Sequence, residues 1–200
     1  MNSNAVTYTE IEEMIAHRHF SSAIAVLSGM VQETPSDPTA WSLLGQSYTE
    51  AGHQQAAVAA LTRAVLLDDE SAATCEALGV AWLREGDFQT SREWLHRGLA
   101  ACHASKGECS AQQRGSILRN LAMGLIMEQR YDEAQFLLEE AIEDSPQDLL
   151  TLHALSAQYI NSERYEEASP LVDRILSQPE LPEWLRTAAE HRRSIIAGDE

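Results

Sequence analysis

Apolar residues recur along this chain three and four apart, the spacing of one face of an α-helix. Trp41, Leu44, Gly45 and Tyr48 stand at i, i+3, i+4 and i+7. Gly52 follows, where a helix can stop because a residue without a Cβ accepts the turn. Ala57, Leu61 and Ala64 make the facing stripe of a second helix. The pair then repeats: Leu44-Gly45 returns as Leu78-Gly79, Gly52 as Gly86 and Leu61 as Leu95, a period of 34 residues. Tyr131 returns as Tyr165 and Ala134 as Ala168 in the same period. Between Ser91 and Ala134 the offset is 43, one period plus nine, so an insertion separates two in-phase blocks. The small residues Gly45 and Ala57 predict close approach of two helix backbones. A larger side chain there costs about 1–3 kcal/mol of overpacking strain.

The run Trp41-x-x-Leu44-Gly45-x-x-Tyr48-x-x-x-Gly52, followed by Ala57, Leu61 and Ala64, resembles a tetratricopeptide repeat. Units at 4–37, 38–71, 72–105, 115–148 and 149–182 cover nearly the whole chain. The second block fits through Leu118, Leu121, Ala122, Leu125, Tyr131, Ala134, Leu138, Ala141 and Pro146. The resemblance implies an all-α fold: a right-handed α-solenoid of about five helix-turn-helix units, forming a single domain over 1–200. There are departures from the pattern. Glu10 and Ile11 stand where Leu and Gly are expected, Asp69 replaces a closing Pro, and Ser91 and Gly98 replace Ala. Pro170 falls early in the last unit's second helix, where missing hydrogen bonds are best tolerated.

Helix ends can be read from the same residues. Thr9-x-x-Glu12 and Ser110-x-x-Gln113 have the form of capping boxes. The insertion, about 103–114, is expected to lengthen the two helices beside it and leave an exposed loop near His103–Cys109. Pro182-Glu-Trp184-Leu185 opens a capping helix over 183–197. Trp184, Leu185, Ala188 and Ile195 are expected to face the array, and Arg186, Arg192 and Arg193 to face water, since the end of a solenoid needs a polar-backed cap.

Charge narrows the function classes. With 14 basic and 31 acidic residues the net charge is −17. That opposes nucleic acid, whose binding is driven by release of condensed cations, and anionic lipid. No apolar run approaches the roughly 18 residues needed to cross a bilayer. The start, with Glu10, Glu12 and Glu13 and no basic region, is not patterned as a signal peptide. Cys75, Cys102 and Cys109 show no framework spacing, and a reducing, cytoplasmic compartment is the simplest expectation. The acidic clusters, among them Asp68-Asp69-Glu70, Asp132-Glu133 and Glu139-Glu140, fall on second helices or turns, as a solubility coat would.

The resemblance also implies a site. In this family the inner positions of each unit's first helix line a concave groove that holds a peptide or helix of another protein. Those positions here include Glu50, Glu76, Val80, Leu83, Arg84, Arg119, Asn120, Met123, Ile126, Met127, His153 and Ile160. Leu83, Met123, Ile126 and Met127 would make an apolar centre, methionine being flexible and polarizable. Arg84, Arg119 and Asn120 could hold a carboxylate through forked hydrogen bonds, or the arginines could pair with Glu50 or Glu76. The positions that match the clamp by which some co-chaperones hold heat-shock chaperones are Ser42, Gln46, Ala77, Ser116 and Asn120, which lack both lysines, so that function is not expected. Cys102-His103 with Cys109 lacks the paired spacing of a zinc site. No phosphate loop or hydrolase motif appears. The expectation is a protein-binding scaffold or assembly chaperone, without catalysis, cofactor or metal. A self-assembling homo-oligomer is the alternative, and a receptor for a C-terminal targeting peptide a distant one.

Overall fold

The computed structural model describes residues 6–67, 70–104 and 109–198. The readings at Asp68, Asp69 and the middle of the expected loop, 105–108, lie outside the described residues. Among those described the chain is all helical, with no strand. Five hairpins follow one another: α1 (Tyr8–Ala16) with α2 (Phe20–Glu33), α3 (Pro38–Ala51) with α4 (Gln54–Leu66), α5 (Ala72–Glu85) with α6 (Phe88–Ala104), α7 (Ala111–Met127) with α8 (Tyr131–Asp144), and α9 (Leu149–Asn161) with α10 (Tyr165–Leu176). A last helix, α11 (Glu183–Ala197), follows them. Contacts divide the protein into two compact units, one up to Cys109 and one from Ser110.

The turn inside every hairpin has one backbone form. Arg18, Gly52, Gly86, Gln129 and Glu163 all take positive φ, between 58° and 85°. They are spaced 34, 34, 43 and 34 residues apart, the same intervals read from the apolar pattern. The amide one residue further on closes the turn onto the carbonyl five residues back, as in His53 to Tyr48 (2.8 Å), Arg130 to Leu125 (2.9 Å) and Arg164 to Tyr159 (2.8 Å). This satisfies carbonyls that the helix end leaves over. In three hairpins a residue with a Cβ bears the left-handed turn, so the packing of the hairpin imposes a geometry that local preference resists.

Inside the hairpins, small residues admit large ones. A Cβ placed on Gly45 would stand 2.4 Å from Leu61 Cγ, and one on Gly79 would stand 2.6 Å from Leu95 Cγ. Leu61 and Leu95 are almost wholly buried against these two glycines, and burying such a side chain stabilises by about 1.5–3 kcal/mol. In the first unit, α1 to α4 enclose Ile11, Leu27, Leu43 and Leu44. In the second, α7 to α11 enclose Leu138, Leu152, Leu155, Ile175 and Leu185.

Several local expectations are corrected. The first capping box is Thr7 with Glu10, not Thr9 with Glu12: Thr7 is extended and accepts from the Glu10 amide, while Thr9 is already helical. Ser110 does cap α7, accepting from the Gln113 amide at 3.1 Å. The insertion goes largely into helix, since α6 and α7 have 17 residues each. Arg114, in the added turn of α7, donates to Glu140 and Asp144 on α8. Those acids therefore serve as anchors rather than as coat alone. Pro170 is the sixth residue of α10, past the first turn, and the helix runs through it. In α11 the buried seam is Leu185 and Ala189, with Ile196 packed against the core, so Trp184 is left outside.

The cysteines also depart from expectation. Cys102 and Cys109 are joined in a disulfide, and Cys75 is free and buried. The bond removes the thiol-based argument for a reducing compartment. It also consumes two of the three groups that a Cys-His-Cys zinc site would need. No described helix is long and apolar enough to cross a membrane.

Candidate functional site

In the first compact unit the inner residues of α3 and α5 are bonded to one another. Buried Ser42 lies 2.7 Å, oxygen to oxygen, from Thr74. Arg84 donates to the Thr49 carbonyl at the end of α3 and to the Glu50 carboxylate at 3.2 Å. This is the pairing that competes with ligand capture, and an exposed pair of this kind contributes only about 0–1 kcal/mol. Val80, Leu83 and Glu76 are half-buried on α5, and Glu76 has a partner of its own. Little apolar surface is left open on these two helices.

The second unit is different. Arg119 on α7 donates to Ser116 at 2.9 Å and to the Asp148 carboxylate. Asp148 is the N-cap of α9 and accepts from the Thr151 amide at 3.3 Å and hydroxyl at 2.5 Å. Burial works to raise its pKa, but the Thr151 hydroxyl and the Arg119 charge outweigh burial and hold the carboxyl below its ordinary range. Arg119 is thus committed to fixing the start of α9. Half-buried Asn120 also has a partner within the chain.

Met123 and Met127 stand one and two turns beyond Arg119 on the same helix face. They are 38% and 60% exposed. Ile126 and Ile160, expected beside them, are instead partly buried against the core. Leu83, expected in the same apolar stretch, belongs to the first compact unit.

Two further exposed apolar side chains of this unit were not among the candidates: Leu150 on α9, 45% exposed, and Trp184 on α11, 56% exposed. The signal for both was in the period, because Ser116, Leu150 and Trp184 are spaced 34 apart. Counting α11 as the first helix of a sixth unit would have placed Trp184 on the inner face. His153 stands one turn along α9 from Leu150. Trp184 meets its ring edge-on, with centroids 5.5 Å apart, and Arg192 Nη1 lies 2.8 Å from its Nδ1. A guanidinium only donates, so Nδ1 accepts and the imidazole is neutral. Burial, and then the Arg192 charge, push the His153 pKa down to about 4. Burial also lowers that of Arg192.

On α7, α9 and α11 the open apolar side chains are Met123, Met127, Leu150 and Trp184, with a neutral histidine and a half-buried cation beside Trp184. Such side chains have no chemistry for bond breaking; what they can do is bind.

Two family models match the protein, over residues 38–71 and 125–190, and both describe a tetratricopeptide repeat. The chain belongs to the tetratricopeptide repeat family. Solved structures of the fold align along almost its whole length. The Pseudomonas aeruginosa protein pilF matches with a TM-score of 0.75 at 11% identity, covering 94% of this chain and 81% of its own. The Thermus thermophilus protein TTC0263 matches with a TM-score of 0.75 at 15% identity, covering 92% and 95%. YrrB, a tetratricopeptide protein with an unusual peptide-binding site, matches with a TM-score of 0.60 at 18% identity, covering 96% and 92%. No curated protein matches. Identities this low speak for the tetratricopeptide fold, and the site has to be argued from its own residues.

The first tetratricopeptide hairpin also carries an open cleft of about 320 Å³, lined by Val6, Glu10, Glu13, Met14, His17 and His19. Glu10 there accepts from the Thr7 amide at 2.7 Å. His17 Nδ1 lies 2.8 Å from the Glu13 carbonyl. Both groups serve the ends of α1.

Proposed function

We propose that this tetratricopeptide protein is an interaction module, without catalysis of its own, that takes a segment of another protein on the inner face of α7, α9 and α11. The observation that carries the reading is the exposure of Met123, Met127, Leu150 and Trp184 on three helices of one compact unit. Surface hydrophobes scattered singly need no explanation, whereas several on one face mark a contact surface. Methionine adapts its shape to a partner, and a tryptophan at an interface contributes large area at low entropic cost. The family's general use in protein–protein interaction supports the reading, as does the peptide-binding site of YrrB.

The double substitution Met123→Glu with Met127→Glu tests it. Both side chains are exposed, so the helical circular dichroism spectrum and melting temperature should stay close to those of the parent. Capture of partner proteins from an extract of the source cells, read by mass spectrometry, should be lost. Unchanged capture would show that this face is not the site. Light scattering separates this reading from self-assembly: a mass that rises with concentration would assign the face to a second copy of the protein.

A further inference from the structure

We infer that Arg192 is a carboxylate anchor, and that the proposed site takes a mostly apolar segment carrying one acidic group. The inference rests on the binding reading above and adds the chemistry of the ligand. The arginines of this unit sort clearly. Arg119 is held by Asp148, Arg114 by Glu140 and Asp144, and Arg193, next in sequence to Arg192, by Asp173 at 2.5 Å. Arg174, Arg186 and Arg192 are half-buried with no carboxylate partner among the described residues, and of these three it is Arg192 that is seated against a ring on α9. Its contact is the His153 ring, with Nη1 2.8 Å from Nδ1 and Nη2 3.3 Å from Nε2. A neutral ring accepts from one of the five donors of a guanidinium and leaves the others open to a ligand or to solvent.

The same ring touches Trp184, so the unpaired cation lies beside one of the exposed apolar side chains of the proposed site. A cation taken partly out of water without a counter-charge is costly, and a ligand carboxylate would relieve that cost through a forked pair. The ligand is expected to carry one such group rather than an acidic tract, because a net charge of −17 repels a strongly acidic partner. The carboxylate can belong to an acidic side chain or to the free C-terminal end of a peptide.

Short synthetic peptides of one leucine-rich sequence, read by fluorescence anisotropy against the full-length protein, test this. One carries a central Glu and an amidated end, one Gln and an amidated end, one Gln and a free C-terminal carboxylate, and one Lys and an amidated end. At least one carboxylate peptide should bind about tenfold or more tighter than the neutral peptide, and the Lys peptide should be weakest. Whether the Glu peptide or the free-carboxylate peptide wins identifies the source of the group. Arg192→Gln should make charged and neutral peptides bind alike, and Arg192→Lys should keep a reduced preference, since a point charge remains without the fork. Equal binding of Glu, Gln and free-carboxylate peptides to the parent protein overturns the anchor and leaves the face a binding site. A preference that survives in Arg192→Gln overturns it too. Failure of every peptide to bind overturns the anchor and removes support from the binding reading itself.

Discussion

At the scale of single residues, the hairpins depend on where a Cβ is absent. Gly45 faces Leu61 so closely that an alanine Cβ would overlap its Cγ. Gly45→Ala is therefore expected to destabilise by about 1–3 kcal/mol, because Leu61 must leave its packed rotamer; a thermal melt followed by circular dichroism measures the loss. Ser91 carries the opposite sign. Its hydroxyl is buried and is the one orphaned side-chain oxygen among the described residues, at a position where the family pattern has Ala. Ser91→Ala should raise stability by about 1 kcal/mol or more, since an unsatisfied buried hydroxyl costs about 1–3 kcal/mol. A denaturant midpoint that falls would contradict this. The Gly45 contact was legible in the sequence because it recurs at Gly79. The orphaned hydroxyl was not, since a sequence shows a donor but not the absence of its partner.

At the scale of elements, α11 and the end of α6 hold most of what is specific to this protein. His153 makes the docking of α11 on α9 sensitive to pH. Its folded pKa is about 4 against an ordinary value of 6.5, so the unfolded chain takes up a proton between these values that the folded ring refuses. Stability from this contact is full above about pH 6.5 and falls as pH drops toward 4. The melting-temperature advantage of the parent over His153→Gln should thus shrink between pH 7 and pH 4.5, and a constant gap would speak against a neutral buried ring. The Cys102–Cys109 disulfide, with a sequence separation of 7, closes a short loop at the end of α6. Replacing both cysteines by serine should lower stability by about 2 kcal/mol, following the entropy of so short a loop. Alkylation without prior reduction should label Cys75 alone, and then only after unfolding. The pairing was hard to read beforehand, because an odd cysteine count and a solenoid pattern both suggest unpaired thiols.

At the scale of the molecule, a repeat array is stabilised by each unit and its neighbours rather than by one shared core. The buried residues follow that rule, with separate clusters around Leu27 and Leu44, around Leu61 and Leu78, and around Leu138 and Leu155. Hydrogen exchange in Gly45→Ala should therefore speed up in α3 and α4 and in the adjoining α2 and α5, and leave α9 and α10 close to parental protection. A uniform rise along the whole protein would show a single cooperative unit instead.

The period, the hairpins and their five turns are local properties, carried by residues within one unit, so the amino-acid order alone determined them. Even the left-handed turns at Arg18, Gln129 and Glu163 fall where the 34-residue spacing puts them, without a glycine to mark them. Which inner side chains stay open is decided between units. Arg119 meets Asp148 from 29 residues away, and Arg192 meets His153 from 39. Those meetings commit one arginine to the fold and leave the other unpaired. They depend on how neighbouring helices seat against one another, so the packing of Ile126 and Ile160 against the core had to come from the tertiary structure.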